Sequence, residues 1–136
     1  VKSEHYLDVR YYETDQMGIV HHSNYVKFFE VARTEWLRAA GLTYAEMERR
    51  GVMMPIVEVQ VKYRMPAYYD ELISVRAFVD DMPMARMTFR YEIRGEDDRD
   101  IATGLTTLGF IDKTTRRPHR APAWLLEVVE REFNRE

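Results

Sequence analysis

Cysteine is absent from the 136 residues, which removes a disulfide framework, a thiolate nucleophile and a cysteine-based zinc site together, and fits a reducing compartment, the cytoplasm. No apolar run is long enough to span a bilayer. The opening Val1-Lys2-Ser3-Glu4-His5-Tyr6 has no basic stretch followed by an apolar one, so the chain reads as soluble and unexported. Positive charge is not in excess either: a net charge of -3 leaves no dominant basic face for phosphate neutralisation and argues against nucleic acid as a partner. Lysine stands only at positions 2, 27, 62 and 113, and Asn and Gln are nearly missing, a bias produced by heat adaptation or by a GC-rich gene alike. Glycine-rich phosphate loops, serine nucleophile elbows and kinase signatures are all lacking, which leaves nucleotide hydrolysis and serine esterase chemistry unsupported. His5 and His119 do not combine with His21 and His22 at any ligand spacing, so no metal site is expected.

What is present is pattern. Leu7, Val9 and Tyr11 alternate with Asp8 and Arg10, predicting a first strand over Tyr6 to Tyr12. From Asn24 to Ala40, the residues Tyr25, Phe28, Phe29, Ala32, Trp36 and Ala40 recur at helical spacing. Val26, Val31 and Leu37 widen the stripe, so this helix is expected to be wrapped by other structure. Gly41 ends it, and Thr43-Tyr44-Ala45-Glu46 is a capping-box pattern opening a short helix that stops at Gly51. Between Met53 and Met65, Val57, Val59, Val61 and Tyr63 alternate with Glu58, Gln60, Lys62 and Arg64, which predicts one wet and one buried face. Ile73, Val75, Ala77 and Val79, and then Met87, Phe89, Tyr91 and Ile93, repeat the alternation, with turns at Asp81-Met82-Pro83 and Gly95-Glu96-Asp97-Asp98. A last strand, Asp100 to Asp112, is apolar on both faces at Leu105, Leu108, Phe110 and Ile111, so its outer side is expected to be covered. A closing helix runs from about Pro122 to Phe133. This order defines the α+β class, one domain over 1–136 whose curled antiparallel sheet wraps a central helix.

Chemistry concentrates between the first strand and the first helix. There Asp15, Gly18 and the pair His21-His22 precede Ser23-Asn24, which supplies N-cap chemistry, so the first unpaired amides of the helix point back towards the turn holding Asp15. A carboxylate facing free amides can attack or hydrate a carbonyl whose oxygen the amides hold. On position alone, Asp15 reads as the cap of a turn or a helix. The ordered set Asp15, Gly18, His22, Asn24 and Tyr25 resembles the acyl-CoA thioesterases of the 4-hydroxybenzoyl-CoA thioesterase type, particularly the branch associated with the Tol-Pal operon.

That resemblance covers nearly the whole chain. It implies a hotdog fold, no cofactor, an acyl-CoA substrate, and a homotetramer built from dimers with active sites at the subunit interface. It implies Asp15 as nucleophile or general base and the backbone N–H of His22 as oxyanion donor, with the His22 imidazole orienting the carboxylate or touching the thioester. Gly18 and Asn24 would set geometry, Tyr25 would roof the acyl pocket or pack in the core, and His21 would pack or line the pocket. Cations for the phosphates of coenzyme A would come from Arg64, Arg86, Arg90, Lys113, Arg116, Arg117 and Arg120. Glu30 stands where a separate branch of hotdog thioesterases keeps a catalytic glutamate; its surroundings here favour an ion pair with an arginine. Two rivals share the scaffold: a hydratase or dehydratase, and a module that binds acyl-CoA or acyl-carrier protein without turnover.

Overall fold

The computed structural model describes residues 2–135. Strict alternation of apolar residues builds the sheet. β4 (Leu72–Phe78), β5 (Arg86–Arg94) and β6 (Asp100–Gly109) send Ile73, Val75, Ala77, Met87, Phe89, Tyr91, Ile93 and Leu108 to one face, where all are buried. With β1 (Lys2–Asp8) and β3 (Ile56–Tyr63) they form a five-stranded antiparallel sheet in the order β1-β4-β5-β6-β3. β2 (Val52–Met53) pairs separately with β7 (Ile111–Asp112).

α1 (Asn24–Ala39) lies on the buried face, with Phe29 stacked at 4.3 Å on Tyr91 and Trp36 edge-on to Phe89 at 5.6 Å. Gly104 permits this approach, because a Cβ there would stand 2.5 Å from the Phe29 ring and 2.6 Å from the Gln60 carbonyl oxygen. Gly41, at φ +97°, turns the chain out of α1, and the Thr43 hydroxyl accepts the Glu46 amide at 3.1 Å to open α2 (Tyr44–Arg49). α3 (Ala123–Asn134) buries Leu125 and Val129. The opposite face of the sheet carries ion pairs, among them Arg90 with Asp80 at 2.8 Å, Arg90 with Glu92 at 3.0 Å, Arg94 with Asp100 at 3.2 Å, and Arg76 with Glu4. Among the described residues no helix is long and apolar enough to cross a membrane.

Four expectations are corrected. The first strand ends at Asp8, and Tyr11–Glu13 is a 3-10 turn, closed because the Glu13 carboxylate accepts the Arg10 amide at 2.8 Å while the Glu13 amide returns to the Arg10 carbonyl at 3.0 Å. The stretch from Met53 to Met65 is two strands broken at Met54-Pro55, where the second residue has no amide to donate. β3 does not bury one face: Ile56, Val57, Val59 and Tyr63 are 38–53% exposed, because α1 packs towards β1 and β4 and leaves this edge strand uncovered. The last strand stops at Gly109. Phe110 turns into the core, and Ile111-Asp112 leave to pair with β2, so Leu105 and Ile111 stay only half covered.

Candidate active site

The turn that follows the first strand is closed by Asp15 itself. Its Oδ1 accepts the amide of Met17 at 2.8 Å and that of Ile19 at 3.4 Å, and its own amide donates to the Ile19 carbonyl at 2.8 Å. Gly18 sits at φ +80° in this turn and donates to the Asp15 carbonyl at 3.1 Å, a conformation that an L side chain would strain. Both readings of Asp15 therefore coexist in one side chain. Oδ1 caps the turn, while among the described residues nothing bonds Oδ2.

From there the chain runs to α1 through a segment held at almost every polar atom. The His21 amide donates to the Glu13 carbonyl at 2.8 Å, the His21 carbonyl accepts the Asn24 amide at 3.0 Å, and the His22 carbonyl accepts the Tyr63 hydroxyl at 3.1 Å. No acceptor among the described residues takes the His22 N–H. A trans peptide points its N–H opposite to its C=O, so with the His21 carbonyl turned forward to Asn24, the His22 N–H faces back from the helix start.

The expected capping is rearranged here. The Ser23 side chain makes no cap; instead its amide donates to His21 Nδ1 at 3.2 Å and its hydroxyl lies 2.9 Å from the same nitrogen. Asn24 is buried and uses its side-chain amide to hold the Glu13 carbonyl at 2.8 Å, tying helix to turn. His21 is thus a local brace, exposed and outside the cleft, rather than pocket lining. The two imidazoles lie 4.2 Å apart.

Asp15, Ile19, Val20, His22, Tyr25, Tyr63, Arg64, Met65 and Pro66 surround a cleft of about 350 Å³. Tyr25 is almost fully buried, edge-on to Phe28 at 5.8 Å and to Tyr63 at 5.2 Å, and burial pushes its phenol up to about 12. The far wall is pinned by Arg99, which donates to the Pro66 carbonyl at 3.0 Å and to both oxygens of Glu71 at 2.7 and 2.8 Å. Of the expected phosphate-binding cations, Arg64 alone lines this cleft. Arg90 has its fork on Asp80 and lies 3.9 Å from the Phe78 ring centroid. Lys113, Arg116 and Arg117 are exposed in the turn after β7. Arg86 borders a different hollow of about 420 Å³, with Pro55, Val57, Phe110, Ile111, His119 and Arg120 around it and no carboxylate in its wall. Glu30 is exposed and, against expectation, makes no ion pair among the described residues.

The fold and the loop before α1 together define a hotdog thioesterase scaffold. Residues 9–129 match the family model described as the Thioesterase-like superfamily, and the chain belongs to that family. A DHNA-CoA thioesterase from Staphylococcus aureus has a similar structure, with TM-score 0.89 and 33% identity over 98% of this chain and 91% of that one. The protein TT1821 from Thermus thermophilus is similar at TM-score 0.88 and 36% identity, covering 94% of this chain and 97% of that one. Among sequences, the acyl-CoA thioester hydrolase YbgC of Escherichia coli is 25% identical over 84% of this chain and 85% of that protein. YneP of Bacillus subtilis is 39% identical over 64% of this chain, and the match spans 63% of YneP.

Proposed function

We propose that the chain hydrolyses acyl-CoA thioesters, giving a carboxylic acid and coenzyme A, with Asp15 and the His22 N–H as the reacting pair. The observation that carries this reading is that Asp15 and His22 line one cleft, where Asp15 keeps one carboxylate oxygen and His22 its backbone N–H without a partner among the described residues. Asp15 Oδ2 either attacks the thioester carbonyl carbon, expelling the thiolate through a mixed anhydride that water then opens, or takes a proton from the attacking water. In both cases the carbonyl oxygen becomes an oxyanion and the His22 N–H holds it. Tyr25 packs the inner wall against which the acyl group rests.

Phosphate recognition fits Arg86 and Arg120, the cations of the carboxylate-free hollow. That hollow lies by the start of β3 and the cleft by its end, and antiparallel pairing of two β3 edges would bring the hollow of one copy beside the cleft of the other. The assembly this implies is a dimer through β3, paired again into a tetramer in the cytoplasm.

The test is release of free thiol over a panel of aryl and aliphatic acyl-CoAs. Asp15→Asn keeps the side chain's size and should lower kcat by well over tenfold with acyl-CoA affinity close to wild type. Retention of more than about a tenth of kcat, a loss of only ~1.4 kcal/mol in barrier, would overturn the role of Asp15. An ultraviolet change without thiol release would point to hydration, and saturable binding alone to a binding module.

A further inference from the structure

We infer that Tyr63 is a positioning residue for the oxyanion donor. This rests on the role proposed above for the His22 N–H and extends it to a residue of the sheet edge. Tyr63 is the last residue of β3, and its hydroxyl crosses to the loop before α1 to donate to the His22 carbonyl at 3.1 Å. Its ring stands edge-on to His22 at 6.3 Å and to Tyr25 at 5.2 Å, forming a wall of the cleft.

The hydrogen bonds of the segment show why that contact matters. The peptide joining His21 to His22 carries the free N–H, and it is held on its carbonyl side by the Asn24 amide alone, at 3.0 Å. In the next peptide the Ser23 amide donates to the His21 ring at 3.2 Å, a partner within the same turn, while the His22 carbonyl has otherwise only the Tyr25 amide at 3.5 Å, too long to fix a plane. Without the phenol, the His22–Ser23 peptide would be held only from within its own turn, by the His21 ring and the long Tyr25 contact, and the two peptides could rock together about the His22 Cα. A donor to a developing oxyanion acts by being oriented in advance; one that must reorient during the reaction loses that advantage. Tyr63 holds the His22 carbonyl from a strand outside the turn, so the His22 N–H keeps its direction while charge moves onto the substrate oxygen.

Tyr63→Phe separates this role from wall building, since it keeps the ring and removes only the hydroxyl. With the CoA ester that wild type hydrolyses fastest among benzoyl-CoA and short aliphatic esters, kcat should fall on the order of tenfold, less than the 10²- to 10³-fold typical of deleting a donor. KM should stay within about twofold and thermal stability near wild type. A second readout is the infrared band of benzoyl-CoA labelled with ¹³C at the carbonyl and bound to Asp15→Asn, where no turnover confuses the spectrum. Tyr63→Phe added to that variant should return the band part of the way towards its frequency in water. An unchanged kcat, an unmoved band, or a KM that rises in step with falling stability overturns the inference. The two readings fail separately: an inactive Asp15→Asn beside a fully active Tyr63→Phe removes only the positioning role, whereas an active Asp15→Asn removes the site reading beneath it.

Discussion

A phenol that loses most of its water on folding resists ionisation, and Tyr25 titrates near 12 in the folded chain against about 10 when unfolded. Between those values the unfolded chain has released a proton that the folded chain still holds. Stability from this residue is therefore intact below pH 10 and is lost as pH climbs towards 12, by on the order of 2 kcal/mol. Urea unfolding at pH 9 and pH 11 should show wild type losing more over that interval than Tyr25→Phe. Arg33 offers a second test: it is 4% exposed, with its guanidinium on the hydroxyls of Tyr44 at 2.8 Å, Tyr91 at 3.3 Å and Thr106 at 3.5 Å, and no carboxylate joins them among the described residues. Arg33→Ala should cost about 3 kcal/mol in urea unfolding, and Arg33→Met clearly less, because the tyrosine and threonine hydroxyls already bond each other at 2.6 Å and an apolar stem refills the space. That Asp15 and His22 come to one cleft was legible in the sequence, because a short loop joins them. Arg33 and Tyr63 were not: helical periodicity treats an arginine as surface, and strand alternation tells which way Tyr63 faces without telling which loop its hydroxyl reaches.

The helices and the central strands followed directly from periodicity, since Val75, Phe89 and Tyr91 alternate with charged residues and α1 shows its stripe without interruption. What periodicity could not supply was where a strand breaks while its pattern continues, as at Pro55 and Phe110, or whether an alternating strand has anything to pack against, as in β3. Nor does a glycine within a strand reveal whether it marks a bulge or a close approach. Gly104 is the latter, and Gly104→Ala would press a methyl into the Phe29 ring and the Gln60 carbonyl together. Because one of the two obstructing groups is backbone, relief requires α1 to lift or β3 to shift, and the expected loss is about 1–3 kcal/mol by chemical denaturation.

Light scattering at micromolar concentration should report a tetramer, or a dimer if the second interface is weak; a monomer would remove the supply of Arg86 and Arg120 from a neighbouring copy. The same open edge that favours assembly also has to refuse the wrong neighbour. A strand of alternating valines with unpaired amides is a template for cross-β stacking, in which identical segments lie parallel and in register. Glu58 and Lys62, both exposed and two places either side of Gln60, tell the two apart. Antiparallel pairing centred on Gln60 sets Glu58 of one copy against Lys62 of the other, twice over, whereas a parallel stack lays Glu58 on Glu58 and Lys62 on Lys62 at every rung. Exchanging the two charges should leave assembly intact, while neutralising both, as Glu58→Gln with Lys62→Gln, should shorten the lag of thioflavin-positive aggregation on mild heating. In the β3-paired dimer proposed above, two side chains on the solvent side of one strand would thus distinguish a two-fold mate from a fibril neighbour.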